Sequence, residues 1–150
     1  MLRDDINSAL KEAMKAGQAR RVSTLRLINA AILQRETSGA SRLTLSDAEI
    51  LDTMGKMIKQ RQESLEIYEK AGRAELAAQE REEIGIISAY LPKQMSDLEA
   101  AGAISTLIKE IEAETLKDMG RTMAALKQRF AGQMDIGKAG ALVKKLLGGG

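Results

Sequence analysis

The chain has 150 residues and a formal net charge of +2, with aromatic side chains at 2% and neither cysteine nor histidine. That composition excludes disulfides, thiolate chemistry, imidazole acid–base catalysis and the common zinc sites, and its weight of Ala, Leu, Ile, Met, Glu, Lys and Arg favours helices over strands. No secretory leader and no apolar run of membrane-spanning length is visible, so a cytoplasmic protein with no membrane partner is expected.

Taken in order, Leu2, Ile6, Ala9, Leu10 and Ala13 recur at helical spacing and predict a first helix closed by Gly17. A second carries Val22, Leu25, Ile28 and Ile32 and breaks near Ser38-Gly39, leaving 37–44 as a polar loop. Ser46 with Glu49 has the spacing of a capping box, in which each side chain satisfies an orphan backbone N–H, and opens the longest helix. Its apolar stripe runs through Ile50, Met54, Met57, Ile58, Leu65 and Tyr68. Arg61 falls on the same stripe; a stem lying along apolar surface with its guanidinium in water accounts for it. Gly72 is the expected left-handed residue after that helix. A fourth helix shows Leu76, Glu80, Ile84, Ile87 and Leu91, an apolar stripe with one carboxylate in it. The short connections predict antiparallel neighbours.

Pro92 is the sole proline. It lacks an N–H and clashes with the preceding turn, so the fourth helix must stop at or before Leu91. Ser96 with Glu99 is a second capping box, and the stretch between reads as a packed hinge. Beyond it, Ala101, Ile104, Ile108 and Ile111 mark a fifth helix, with Gly102 as its weak point. Asp118 is the expected N-cap of a sixth, whose stripe is Met119, Met123, Leu126 and Phe130 and which Gly132 closes. Asp135 is expected to cap a last helix with Ile136, Ala139, Val143 and Leu146 facing inward. The terminal Gly148-Gly149-Gly150 is expected to fray. The expected fold class is all-α: an N-terminal four-helix module, 1–92, joined by the proline hinge to a small three-helix module, 93–150.

Carboxylates are the only strong acid–base groups left, yet Glu80, Glu82 and Glu83 fall on different faces of one helix, as do Glu110, Glu112 and Glu114. General acid–base work needs convergent side chains, so both runs read as solvated faces. The serines lack a nucleophile elbow, and no Gly-rich phosphate loop is present. The methionines at 54/57 and 119/123 read as core. No catalytic residue, metal site or cofactor site emerges.

Charge offers more. Residues 1–92 carry 14 basic and 14 acidic side chains, 93–115 carry 2 and 5, and 116–150 carry 7 and 2. The basic excess thus lies in the last 35 residues, where an anionic partner would bind. Arg121, Lys127, Arg129, Lys138, Lys144 and Lys145 lie on the two helices around the turn from Gly132 to Asp135. Helix N-termini there add backbone donors for phosphate. Phe130 is the one aromatic in this stretch and belongs to the apolar stripe, so RNA would be read by backbone and shape, not by base sequence.

The run Lys59-Gln60-Arg61-Gln62-Glu63-Ser64, then Tyr68, Ala71-Gly72-Arg73, Leu76, Glu80, Glu83-Ile84 and Tyr90-Leu91-Pro92, resembles the stand-alone GatB/YqeY family. The likeness continues through Asp118-Met119-Gly120-Arg121-Thr122-Met123 and Gly132 to Lys138, Leu142 and Val143. It implies an all-helical protein whose C-terminal module is similar to the tail of the B subunit of glutamine-dependent aspartyl/glutamyl-tRNA amidotransferase. That tail grips the tRNA body, while phosphorylation and transamidation occur in a separate domain absent here. The tail's Met-Gly-x-x-Met is kept as Met119 to Met123, whereas its Gly-Lys-Ala-Asn-Pro is replaced by Gly132-Gln133-Met134-Asp135.

Three readings follow. The first is a tRNA-binding accessory module related to the amidotransferase, with tRNA and amidotransferase or other translation proteins as partners. The second is a protein-interaction adaptor using the long helix and the hinge through Arg61, Tyr68 and Tyr90. The third, by family association alone, is a carbon–nitrogen ligase using glutamine as amido donor.

Overall fold

The computed structural model describes residues 1–148, and every regular element within them is helical. Among these residues no helix is long and apolar enough to cross a membrane. The chain divides into two units, Met1–Leu91 and a second that starts at Pro92. The expectation of fraying at Gly148-Gly149-Gly150 falls partly outside the described residues; Gly148 itself donates its N–H to the Lys144 carbonyl at 2.9 Å and closes the last helix.

The first unit contains α1 (Leu2–Lys15), α2 (Ala19–Thr37), α3 (Asp47–Lys70) and α4 (Ala74–Ser88). α3 packs along α4, α1 on α2, and α2 on α4. Ile6, Leu25, Ile28, Ile32, Ile50, Met54 and Ile87 are fully buried between them. Each such side chain contributes about 1.5–3 kcal/mol relative to exposure. The Ser46 hydroxyl accepts from the Glu49 N–H at 3.2 Å and the Glu49 carboxylate accepts from the Ser46 N–H at 3.2 Å, so the capping box opens α3. Gly72, at φ +72°, lets the chain leave α3 while the Arg73 N–H reaches back to the Tyr68 carbonyl at 2.9 Å.

α4 stops at Ser88, within the limit that Pro92 sets, and Tyr90 and Leu91, beyond its end, turn in to pack on the core. Three expectations need correction here. Leu76 is exposed; the inward positions of α4 are Ala77, Glu83 and Ile87. Arg61 does not place its guanidinium in water. Its Nε donates to Glu83 Oε2 at 3.0 Å and Nη1 to the Met57 carbonyl at 3.1 Å, with side-chain exposures of 14% and 8% for the ion pair. Glu83 is therefore not part of a solvated face: α3 and α4 bury opposite charges against each other.

The loop before α3 also has an internal anchor. Glu36 is buried and accepts hydrogen bonds from the Leu45 N–H at 2.8 Å and from Arg3. The Leu45 amide, and after it Arg3, hold its carboxyl below the usual range despite burial.

The second unit holds α5 (Asp97–Glu110), a 3-10 turn (Leu116–Asp118), α6 (Met119–Phe130) and α7 (Ile136–Leu147). Its core is Ile104, Leu107, Ala113, Leu126, Ala139, Val143 and Leu147. Ser96 and Glu99 cap α5 reciprocally at 3.1 and 3.2 Å. Leu147, not Leu146, completes the inward stripe of α7, because positions 139, 143 and 147 follow one four-residue row while Leu146 is 45% exposed. Asp118 precedes α6 but does not cap it. Its Oδ2 turns back to accept from the N–H groups of Glu114 at 2.8 Å and Thr115 at 3.2 Å, so it caps the 3-10 turn.

Candidate nucleic-acid interface

The six basic residues singled out on the C-terminal helices do not form one face. Two of them hold the end of α5. Glu112 follows that helix at φ +54°, a left-handed conformation that costs a residue with a β-carbon about 1–2 kcal/mol. Arg121 Nη1 donates to the Ile111 carbonyl at 2.6 Å and Nη2 to the Glu112 carbonyl at 3.2 Å, while Nε reaches Asp118 Oδ1 at 3.2 Å. The guanidinium thus satisfies carbonyls that a helix end leaves orphaned. Arg129 pairs with Glu110 on the same end of α5. Both arginines remain half-exposed; all three Arg121 nitrogens have acceptors, and Arg129 is neutralised by Glu110.

The four lysines behave differently. Lys127, Lys138, Lys144 and Lys145 are exposed, and among the described residues none pairs with a carboxylate. Helix geometry, at about 100° per residue, sorts them. Lys138 and Lys145 share one flank of α7, and Lys138 lines a cleft of about 320 Å³ with Asp97, Ile104 and Leu142. Lys144 lies on the other flank, one turn beyond Gly140, whose α-carbon faces Met123 of α6. Lys127 sits one turn beyond Met123, so Lys127 and Lys144 border the α6–α7 seam.

The N-terminus of α7 is already occupied. Asp135 Oδ1 accepts from the Gly137 N–H at 2.9 Å and the Lys138 N–H at 3.4 Å, which confirms the expected cap. A carboxylate in that position repels phosphate and takes the donors that the sequence suggested for it. The same holds at the 3-10 turn, where Asp118 takes the free amides; these N–H groups and then Arg121 hold its carboxyl below the usual range. Lysine side chains, not helix ends, are left to meet an anion here.

The adaptor residues are also placed. Arg61 is committed to Glu83, Tyr68 is half-buried on α3, and Tyr90 packs against the N-terminal core. The acidic run on α4 did hide a feature that sequence reasoning missed: Glu80 is partly buried beside Glu83 and Arg61, with Oε2 unpartnered. Burial first, and the Glu83 charge second, push its carboxyl above the usual range. The signal was the pattern itself, since Arg61 and Glu80 both interrupt apolar stripes on helices joined by a short turn.

The chain matches the family model described as Yqey-like protein over residues 3–147. It is 30% identical over 93 residues to an uncharacterized protein of Schizosaccharomyces pombe, a match that covers 62% of this chain and 74% of the relative. It is likewise 30% identical over 110 residues to Altered inheritance of mitochondria protein 41, mitochondrial, of Lachancea thermotolerans. That match covers 72% of this chain but 58% of the relative, so the chain spans little more than half of that protein's length. With the model matched over nearly the whole sequence of an all-helical chain, this protein belongs to the YqeY-like family.

Proposed function

We propose that this protein is a tRNA-binding accessory module, related to the tail of the glutamine-dependent tRNA amidotransferase, that holds tRNA through phosphates on α6 and α7. The observation that carries the reading is the set of four exposed lysines without carboxylate partners, in a segment with seven basic and two acidic side chains. Free ammonium groups at the ends of flexible stems attract phosphate without base selectivity. Translation proteins, including an amidotransferase, are the partners this reading supplies, and the cytoplasm is its compartment.

The test is binding of folded tRNA to the full chain across a salt series. Four or five phosphate contacts give a log–log slope of about −3 to −4. Lys144→Glu with Lys145→Glu is expected to keep helicity and cut affinity severalfold, with little discrimination among tRNA sequences. Unchanged affinity in that folded variant overturns the assignment to α7, and no tRNA binding at physiological salt by the parent favours a protein adaptor. Glutamine and ATP are expected to stay intact in the same mixtures; ammonia release above a buffer blank restores the ligase reading.

A further inference from the structure

The N-terminal unit is neutral only in sum. Between residues 11 and 26 stand Lys11, Lys15, Arg20, Arg21 and Arg26 against the single acid Glu12. Elsewhere in this unit arginines are mostly neutralised: Arg3 meets Glu36, Arg35 meets Asp52, Arg61 meets Glu83 and Arg81 meets Glu69. In the basic stretch only Arg20 has such a partner, Glu82 at 3.6 Å. Lys11, Lys15, Arg21 and Arg26 are exposed, and among the described residues none of them pairs with a carboxylate.

Tertiary packing gathers three of these charges. α1 and α2 meet through a hydrogen bond from Asn29 Nδ2 to Asn7 Oδ1 at 3.1 Å. Nearer the α1–α2 turn, an open groove of about 420 Å³ is lined by Met14, Gly17, Ala19, Val22, Ser23 and Arg26. The pairings of 7 with 29 and of 14 with 22 run antiparallel, so Lys11, one turn after Asn7, and Arg26, about one turn before Asn29, border the same seam. Lys15 follows Lys11 by one further turn of α1. Glu12 lies about 100° round the helix from Lys11 and about 60° from Lys15, with which it makes no ion pair.

We infer that the α1–α2 seam of the N-terminal unit is a second phosphate-binding surface, which takes the sugar–phosphate backbone of RNA between Lys11 and Lys15 on one side and Arg26 on the other. This rests on the tRNA reading above and extends it to a unit for which that reading assigned no contact. RNA fits the seam better than an anionic membrane does. Membrane insertion needs an apolar face of several large side chains, whereas the exposed large apolar group lining this groove is Met14, beside the Ser23 hydroxyl.

The test uses the full chain, mixed folded tRNA, and two variants at exposed positions: Lys11→Glu with Lys15→Glu and Arg26→Glu, and the neutral set Lys11→Gln with Lys15→Gln and Arg26→Gln. The neutral set keeps the test open if charge reversal disturbs folding, which circular dichroism reports. Both are expected to lower affinity, the reversal by about tenfold or more, and to reduce the magnitude of the salt slope by about 2 to 3. The same affinity and slope as the parent in folded variants, with loss in the Lys144→Glu/Lys145→Glu protein, overturns this inference alone. Loss in the seam variants with none in the α7 variant upholds it and overturns the α7 assignment. No tRNA binding by the parent overturns both. Parent binding to phosphatidylcholine vesicles containing phosphatidylserine but not to tRNA, abolished in the seam variants, reassigns the seam to a membrane and overturns the RNA inference.

Discussion

In the N-terminal unit, Arg3, Arg35, Arg61 and Arg81 each meet a carboxylate, and the Arg61–Glu83 pair does so beneath the surface. In the C-terminal unit, Arg121 and Arg129 close on the end of α5, while Lys127, Lys138, Lys144 and Lys145 stay in solvent. Both units therefore use guanidiniums to build structure: five of nine in the N-terminal unit, counting Arg20 with Glu82, and both in the C-terminal unit. The planar fork of arginine matches carbonyl and carboxylate pairs, whereas the strongly hydrated ammonium of lysine gains little from leaving water. Counting charges along the chain thus overstates what an arginine-rich stretch can offer a partner. It understates a unit whose sum is zero but whose unpaired cations share one seam.

The units also differ in reserve. The C-terminal core rests on seven buried residues in fewer than about 70–80 residues, a size at which a single core rarely supplies more than about 3–5 kcal/mol. Leu126→Ala, at a fully buried position, should cost about 2–5 kcal/mol and so remove most or all of that unit's stability. Ile28→Ala, equally buried in the larger core, should leave a cooperative transition. Denaturant unfolding of the full chain followed by circular dichroism checks this. If Leu126→Ala leaves the whole transition in place, the units do not differ in reserve.

The buried pair in α3 and α4 sharpens the contrast next. Arg61→Ala leaves the Glu83 carboxylate buried without its cation and should destabilise the protein by about 3–5 kcal/mol. Arg61→Leu with Glu83→Leu removes both charges and should cost far less, as measured by denaturant midpoint. Equal losses in the two proteins would show that packing by the arginine stem, not its charge, holds the pair.

The smallest expected effect is in pH dependence, where two carboxylates should act with opposite signs. Asp118 has its pKa lowered, chiefly by the amides of Glu114 and Thr115. Its contribution is fully present above the usual carboxylate range and is lost as pH falls through its folded value. Glu80 has its pKa raised, chiefly by burial. Its contribution is present below the usual range and is lost as pH rises through its folded value. Glu80→Gln should therefore raise the melting temperature at neutral pH and have no such benefit in acid. Asp118→Asn should do the reverse, costing stability at neutral pH and little in acid. Thermal melts from pH 3 to pH 8 read both signs.

The sequence by itself determined the helices, the caps of α3, α5 and α7 and the glycine exits. Ser46 with Glu49, Ser96 with Glu99, Asp135, Gly72 and Gly132 all act over a span of a few residues, where backbone sterics and one hydrogen bond decide the outcome. The stripes through Ile50, Met54 and Met57 and through Ala139 and Val143 were legible for the same reason, since helical period alone sets which side chains share a face. What only the tertiary structure decided was which charges face one another. Arg61 meets Glu83 across 22 positions, Arg129 meets Glu110 across 19, and Arg121 reaches back to the carbonyls at 111 and 112. Whether a cation is consumed in this way or left for a partner depends on distances between helices, and no local period carries that information. The basic seam between α1 and α2 was hidden by the same fact: its charges cancel along the chain against acids that lie elsewhere in space.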